Sequence, residues 1–413
     1  MSSQVLLIST LDTKAQETLY LRQRLEAGGV EVLLMDLSMG TPSGQACEIS
    51  AEKVAAAAGW DMADIRASRE RAKITSAMIQ GAVSLATELY AQGRLNAVVG
   101  LGGSTGSLMA SEVMRALPFG LPKLMISSTA ALPGLATRYI DTGDILLFHT
   151  VVEISGLSPL LTNVLDRAAA TAVALAGVPA VKPRAVNGQR MVAMSMFGPC
   201  EHCAHKVRIK LEEHGFLVIG FSAAGVCDRA MEAMISQGYF AGVVDLAPGG
   251  VGEHLLGGMR SAGPHRLEAA GRLGIPQIVA PSGINLMSPR KSHYKPDYHQ
   301  RPKYDMDRLR TFLRLNADEL REVARAFADK LNQARGPVVF LIPTKGWCSF
   351  DCEGGSVYAP QEDKLFVHEL KSLLKPEVMV REVEANLEED EFSDAVAKAF
   401  LELAPAAHPM EMP

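Results

Sequence analysis

The sequence predicts an α/β protein of two tandem, doubly wound units with mainly parallel sheets and a cleft between them. Three observations predict it. Short apolar runs alternate with amphipathic helical stretches from the first residues to about 178. The stretch "VPAVKPRAVNGQR" (178–190), with two prolines and Asn-Gly, then interrupts the pattern as a linker. After it the alternation restarts and runs to the end. Strands separated by helices need crossover connections, which give a parallel sheet covered on both faces. The resulting division is 1–182 and 183–413.

The elements follow in order. "QVLLIST" (4–10) reads as a strand, and the helix after it (12–29) places Leu19, Tyr20, Leu21 and Leu25 roughly on one face before Gly28 and Gly29 end it. "VEVLLMDLS" is the second strand. One long helical stretch is expected over about 63–92. "LNAVVGLGG" is the next strand, with its helix from about Leu108 to Leu117. "PKLMISST" and "DILLFHTVV" read as strands, and 159–178 as an Ala-rich helix. In the second half, 191–198, 216–223, 240–247, 276–282, 336–343 and 378–386 read as strands. Helices are expected at 202–215, 228–238, 263–274, 317–333, 364–374 and 390–403, with an irregular polar run at 290–304.

Composition narrows the function classes. The 413 residues are 48% hydrophobic and 21% charged, as in a globular protein able to bury real cores. A formal charge of −5 offers no footprint for nucleic acid and no basic patch for a membrane surface. No signal peptide is expected, and no apolar run reaches the ~18 residues of a membrane span. The six cysteines (Cys47, Cys200, Cys203, Cys227, Cys348, Cys352) are few for the length, which points to a reducing, cytoplasmic setting.

Chemistry is expected at strand ends, where α/β folds hold ligands. "GLGGSTGS" follows an apolar strand. Gly102, Gly103 and Gly106 let the backbone approach a ligand, Ser104, Thr105 and Ser107 add hydroxyls, and the next helix offers free N–H groups, so a phosphate would be satisfied there. The same residues also make a plain tight β-to-α turn. The loop is neither a Walker loop nor a dinucleotide fingerprint. In "STLDTKAQET", Asp12 or Thr13 caps a helix, and Lys14 sits in its first turn, where a cation opposes the helix dipole and is more comfortable beside an anion. Asp12 is a carboxylate able to hold Mg2+. Ser127 and Ser128 end another strand and suit ribose or phosphate, or simply enter a loop.

The second half carries "FGPCEHCAHK", whose Cys200–Cys203 spacing lacks the second ligand pair of a closed zinc site. This segment is expected as a polar helix start lining the cleft. Asp245, Glu253 and His254 stand at one strand end, and Lys345, Ser349 and Asp351 at another. The run 290–304 concentrates Arg290, Lys291, His293, Lys295, His299 and Arg301, either to clamp an anion or as an exposed loop or subunit contact. Lys345 is expected as anion clamp or proton donor with Arg290 and His293 reaching over, or else as a salt-bridge partner of Asp351.

Together "TLDTK", "GLGGSTGS", "RALPFGLPKLMISS", "MFGPC", "GGMRSAGPHRLEAAGRLGIPQIV" and "LIPTKGWCSFDCEGG", in this order, resemble the uncharacterised family that includes the N-terminal ATP-binding domain of the tomato mosaic virus resistance protein, an inhibitor of viral RNA replication. The resemblance implies two Rossmann-like subdomains, ATP and magnesium as ligands, and a homodimer. The family's glycine loop falls on residues 102–107, with Thr105 and Ser107 departing from its usual Gly-Gly-Ser-Gly-Gly-Thr form. Pro199 and Cys200, "AAGVCDRAME" and "DLAPGGVGEH" replace threonine-rich stretches of the family, a departure placed where a substrate would be read. The expected activity is that of a small-molecule enzyme acting on an anionic carboxylate or phosphate substrate. The other readings are a nucleotide-dependent interaction module and a nucleotide-independent hydrolase or C–C bond-processing enzyme.

Overall fold

The computed structural model describes residues 3–179, 189–308 and 310–404. The chain divides into two compact units, 1–181 and 182–413. The linker read at 178–190 lies largely outside the described residues.

In the first unit, β1 (Gln4–Ser9), β2 (Glu31–Asp36), β3 (Ala97–Gly102), β4 (Lys123–Ser127) and β5 (Ile145–His149) form one parallel sheet in the order β2-β1-β3-β4-β5. Alternate strand residues face opposite ways. Leu6, Ile8 and Val98 pack under α2 (Ala51–Ala57), α4 (Arg71–Ala91) and α5 (Ser104–Ala116). Val5, Leu7 and Val99 pack under α1 (Leu11–Ala27) and α7 (Pro159–Ala176). The single helix expected over 63–92 is two, α3 (Met62–Ala67) and α4, because Ser68 is extended between them. The loop after β4 carries α6 (Leu135–Ile140).

In the second unit, β6 (Arg190–Met196), β7 (Phe216–Ser222), β8 (Gly242–Asp245), β9 (Gln277–Val279), β13 (Val338–Pro343) and β14 (Val378–Val383) form a parallel sheet in the order β14-β13-β9-β8-β6-β7. Helices α8 (Glu201–Glu213) and α14 (Asp390–Leu403) cover one face through Val207, Leu211, Val396 and Phe400. On the other face lie α9 (Val226–Ser236), α11 (Ala269–Leu273), α12 (Ala317–Leu331) and α13 (Pro360–Leu373). The short α10 (Gly250–Leu256) follows β8. Both units are therefore doubly wound, Rossmann-like sheets.

Two further features depart from the expected elements. The stretch around 290–304 is not merely irregular. It leads into β11 (Lys303–Asp305), which joins β10 (Leu286–Met287) and β12 (Thr311–Arg314) in a small antiparallel sheet ordered β10-β12-β11. The helix expected over 263–274 shrinks to α11, because Leu267 takes a left-handed φ of 73° while Arg266 turns into the core.

Candidate functional site

The strand order of the first unit reverses between β1 and β3. In open α/β sheets the crevice beyond the carboxyl ends of two such strands is the ligand position. Asp12, Thr13 and Lys14 lie in the first turn of α1, whose N-cap is Thr10 with no side-chain cap, so neither Asp12 nor Thr13 caps it as expected. The glycine-rich run follows β3, and topology brings these two segments side by side. A Cβ on Gly106 would lie 3.8 Å from Thr10 Oγ1, and one on Gly103 3.9 Å from Ser128 Oγ after β4.

The run 104–107 is not loop but the first turn of α5, which begins at Ser104. Gly103 is its N-cap and supplies no side chain, so the first N–H groups of the helix have no side-chain cap. Ser104 and Thr105 are exposed. Ser107 and Ser127 are fully buried and bonded to each other at 2.7 Å, with Ser107 also donating to the Gly102 carbonyl at 3.1 Å. These two hydroxyls brace the turn from beneath. Ser128 is at the surface side and donates to Glu153 at 3.3 Å.

The three glycines differ in what the fold demands of them. A Cβ on Gly102 would fall 2.9 Å from the Gly106 backbone, so the turn itself requires glycine. Gly103 has ordinary negative φ, and a Cβ there would meet only Ser128 Oγ, at an ordinary 3.9 Å. Gly106 sits inside a helix, where glycine costs about 1 kcal/mol relative to alanine, without a steric need for it.

Lys14 does have an anion beside it, supplied by the chain. Its Nζ donates to the Ile154 carbonyl at 2.5 Å and lies 3.4 Å from Glu153 Oε1. Glu153 thus joins Lys14 to Ser128 and also accepts from the Ile154 N–H at 2.9 Å; its side chain is 64% exposed. Nothing in the sequence marks Glu153, which is 139 residues from Lys14. Asp12 holds the next loop by accepting from the Gly40 N–H at 2.9 Å. Thr13 is exposed, and its hydroxyl is 3.1 Å from Thr10 Oγ1. Among the described residues, no group of three or more His, Cys, Asp or Glu side chains is arranged to hold a metal.

The strand ends of the second unit are largely internal structure. Asp245 and Glu253 are 1% and 0% exposed. Asp245 is bonded to Arg266 and Ser195, and Glu253 to Arg260 and Ser288, so neither faces a substrate. Lys345 emerges after β13 with a half-exposed side chain, 3.9 Å from Glu384. It does not pair with Asp351, which is buried against Asn285 and Arg314. Arg290 and His293 are exposed, and among the described residues no hydrogen bond or ion pair brings either to Lys345. Arg301 is not a loose clamp; it is held by Glu319 at 2.6 Å and by Asp297 at 2.5 Å.

The start of α8 is capped from within the unit: Glu388 accepts from the N–H groups of His202 (3.2 Å) and Cys203 (3.1 Å). Cys200 and Cys203 are wholly buried, and burial pushes the Cys200 thiol up to about 12 and raises that of Cys203 as well. Metal binding needs thiolates. Protein purified without chelator is therefore expected to contain no stoichiometric zinc by elemental analysis. One zinc per chain, lost in a Cys200→Ser/Cys203→Ser variant, would overturn this.

The models of the two domains of the uncharacterised protein family UPF0261 match residues 3–180 (N-terminal domain) and 189–404 (C-terminal domain). A UPF0261 protein of Clostridium tetani is 31% identical over 406 residues, covering 98% of this chain and 99% of that one. A Brucella suis member is 30% identical, covering 97% and 95%. The ToMV resistance protein Tm-1 of Solanum lycopersicum is 27% identical over 99% of this chain, which spans 57% of the tomato protein. A solved UDP-N-acetylglucosamine 2-epimerase covers 68% of this chain and 79% of its own at 11% identity and a TM-score of 0.21, too low for any argument. No described helix is long and apolar enough to cross a membrane. Matched along both units, the chain belongs to the family UPF0261.

Proposed function

We propose that the first unit binds ATP with Mg2+ at the β1/β3 switch point, and that the protein is a cytoplasmic, homodimeric small-molecule enzyme acting on an anionic substrate. One observation carries the nucleotide reading. Gly103 and Gly106 put no side chain beside an uncapped helix start, although a Cβ at either position would make only ordinary contacts and the fold has no steric need of glycine there. Space kept at a helix N-terminus between the hydroxyls of Thr10 and Ser128 suits a phosphate group.

In this reading Lys14 leaves Glu153 to meet phosphate, and Ser104, Thr105 and Ser128 offer hydroxyl donors. Asp12 and Glu153 are the hard oxygen donors that would hold Mg2+, whose charge neutralises the phosphates. Lys345, with its ammonium half exposed at a strand end, is the group offered to an anionic substrate.

Calorimetry with ATP and Mg2+ tests the reading. The wild type is expected to bind, and ligand at 100 times its Kd to add about 2.7 kcal/mol of stability. Gly103→Val places a side chain over the helix start and should abolish binding without unfolding the domain. Absence of binding by the wild type at millimolar ATP overturns the proposal. So does a Gly103→Val protein that binds as well as the wild type.

A further inference from the structure

The second unit buries a cluster that the nucleotide reading does not use. Asp363 lies in the first turn of α13, Asp351 in the loop 344–359 after β13, and Arg314 on β12. All three are buried, at 5%, 0% and 3% exposure. Asn285 donates through one nitrogen to Asp351 Oδ2 at 2.8 Å and Asp363 Oδ1 at 2.9 Å. Arg314 donates to Asp363 Oδ1 and to the carbonyls of Val357 and Ala359, and lies 3.5 Å from Asp351 Oδ1. The Trp347 N–H donates to Asp351 Oδ2 at 3.1 Å.

Two carboxylates here share one guanidinium. With both ionised the cluster would be a net negative charge shut away from water, which is costly. A single bound proton removes that charge. Burial, and then the charge of Asp351, push Asp363 up to about 7 against the pull of Arg314. Burial raises Asp351 too. Asp363 Oδ2 is buried and makes no hydrogen bond, and the same holds in this cluster for Asp351 Oδ1, Asn285 Oδ1 and Arg314 Nε; of the four residues, Asp363 is the one that lines a pocket.

Asp363 lines a pocket of about 70 Å3, walled by Pro343, Trp347, Pro360 and Val367, at the carboxyl end of β13. That volume holds a few heavy atoms. These walls are apolar, with Thr344, Lys364 and Glu382 completing the lining, and the buried acid is the group placed to give a ligand a hydrogen bond from within. The other charged or titratable groups around it are Arg314 from β12, Asp351 and Tyr358 from the loop, Lys364 from α13 and Glu382 from β14. Glu382 is paired with Lys371 at 2.5 Å.

We infer that this pocket is a second binding site, taking a small uncharged carbonyl group (an amide, ketone or ester, free or as the end of a larger molecule) on a hydrogen bond donated by the carboxyl of Asp363. A carbonyl oxygen accepts and carries no charge, so it leaves the cluster neutral. A carboxylate ligand would restore the buried negative charge, and an amine would demand the ionised acid. The inference is independent of nucleotide binding in the first unit.

The probe is isobutyramide, followed by Trp347 fluorescence in the full chain carrying Trp60→Phe, which leaves Trp347 as its sole tryptophan. Binding should weaken about tenfold from pH 6 to pH 8, as the acid with a midpoint near 7 loses its proton. Asp363→Asn keeps a donor that does not titrate, so it should bind at both pH values with no such change. Asp363→Ala should lose binding at pH 6. No binding by the parent protein at pH 6 with isobutyramide raised to its solubility limit, affinity that rises with pH, or the same tenfold change in Asp363→Asn would each overturn the inference.

Discussion

Replacing Arg266 with methionine is expected to lower the unfolding free energy of the second unit by about 3–5 kcal/mol. The guanidinium is fully buried and makes a two-pronged contact with Asp245 at 2.6 and 2.7 Å. It also donates to Asp228 at 3.0 Å and to Glu232 at 3.1 Å. These carboxylates have further work: Asp228 accepts from the Gly225 N–H, and Glu232 from those of Leu267 and Ala269. Methionine fills much of the volume but leaves three buried acids without their cation. Each must then be protonated or dragged toward water, which pulls on β8, α9 and the 260–269 loop together. Chemical denaturation measures the effect. Arg272→Met is the control, because Arg272 is 54% exposed in its pair with Glu268 and exposed pairs contribute about 0–1 kcal/mol. A loss below about 1 kcal/mol in the Arg266 variant would mean that the network is not a stabilising element.

Raising the pH from 5 to 8 is expected to destabilise the wild type relative to Asp363→Asn by about 2–3 kcal/mol. The sign follows from the direction of the shift. Asp363 is held at about 7 in the folded protein, above its ordinary 3.8, chiefly by burial. The folded state therefore keeps a proton that the unfolded chain has already released above about pH 4. That preference stabilises the protein at low pH and is lost as the pH rises through about 7. Asparagine preserves the shape and the contacts with Asn285 and Arg314 but cannot ionise, so the difference between the two proteins isolates this one group. Denaturation curves at several pH values give the difference directly. A constant difference from pH 5 to 8, or a wild type that gains on the variant as the pH rises, would show that Asp363 is ionised throughout.

The legible part of this protein was local. The strands β1, β2, β3, β4 and β13 stood out because they are short apolar runs ended by glycine, serine or proline. The helices after them carry a periodic apolar face. The glycine run at 102–107 was visible for the same reason, although its helix starts four residues earlier than the apolar pattern suggested, since the first turn packs little and leaves no periodic trace. The small sheet of β10, β11 and β12 was invisible because strands of two to four residues are too short to show a period.

The sequence by itself determined the alternation, hence the two doubly wound units and the polar character of their strand ends, because those depend on neighbours within one turn or one pleat. Only the tertiary structure decided which polar ends are free. It set β1 beside β3, across more than 80 residues of chain, and so brought two helix starts together. It turned Asp245, Glu253 and Asp351 inward onto Arg266, Arg260 and Arg314, and left Glu153 beside Lys14. The reason is physical. A carboxylate at a strand end looks the same in sequence whether it meets water, a ligand or an arginine, and the partner that decides between them arrives from a distant element once the core has packed.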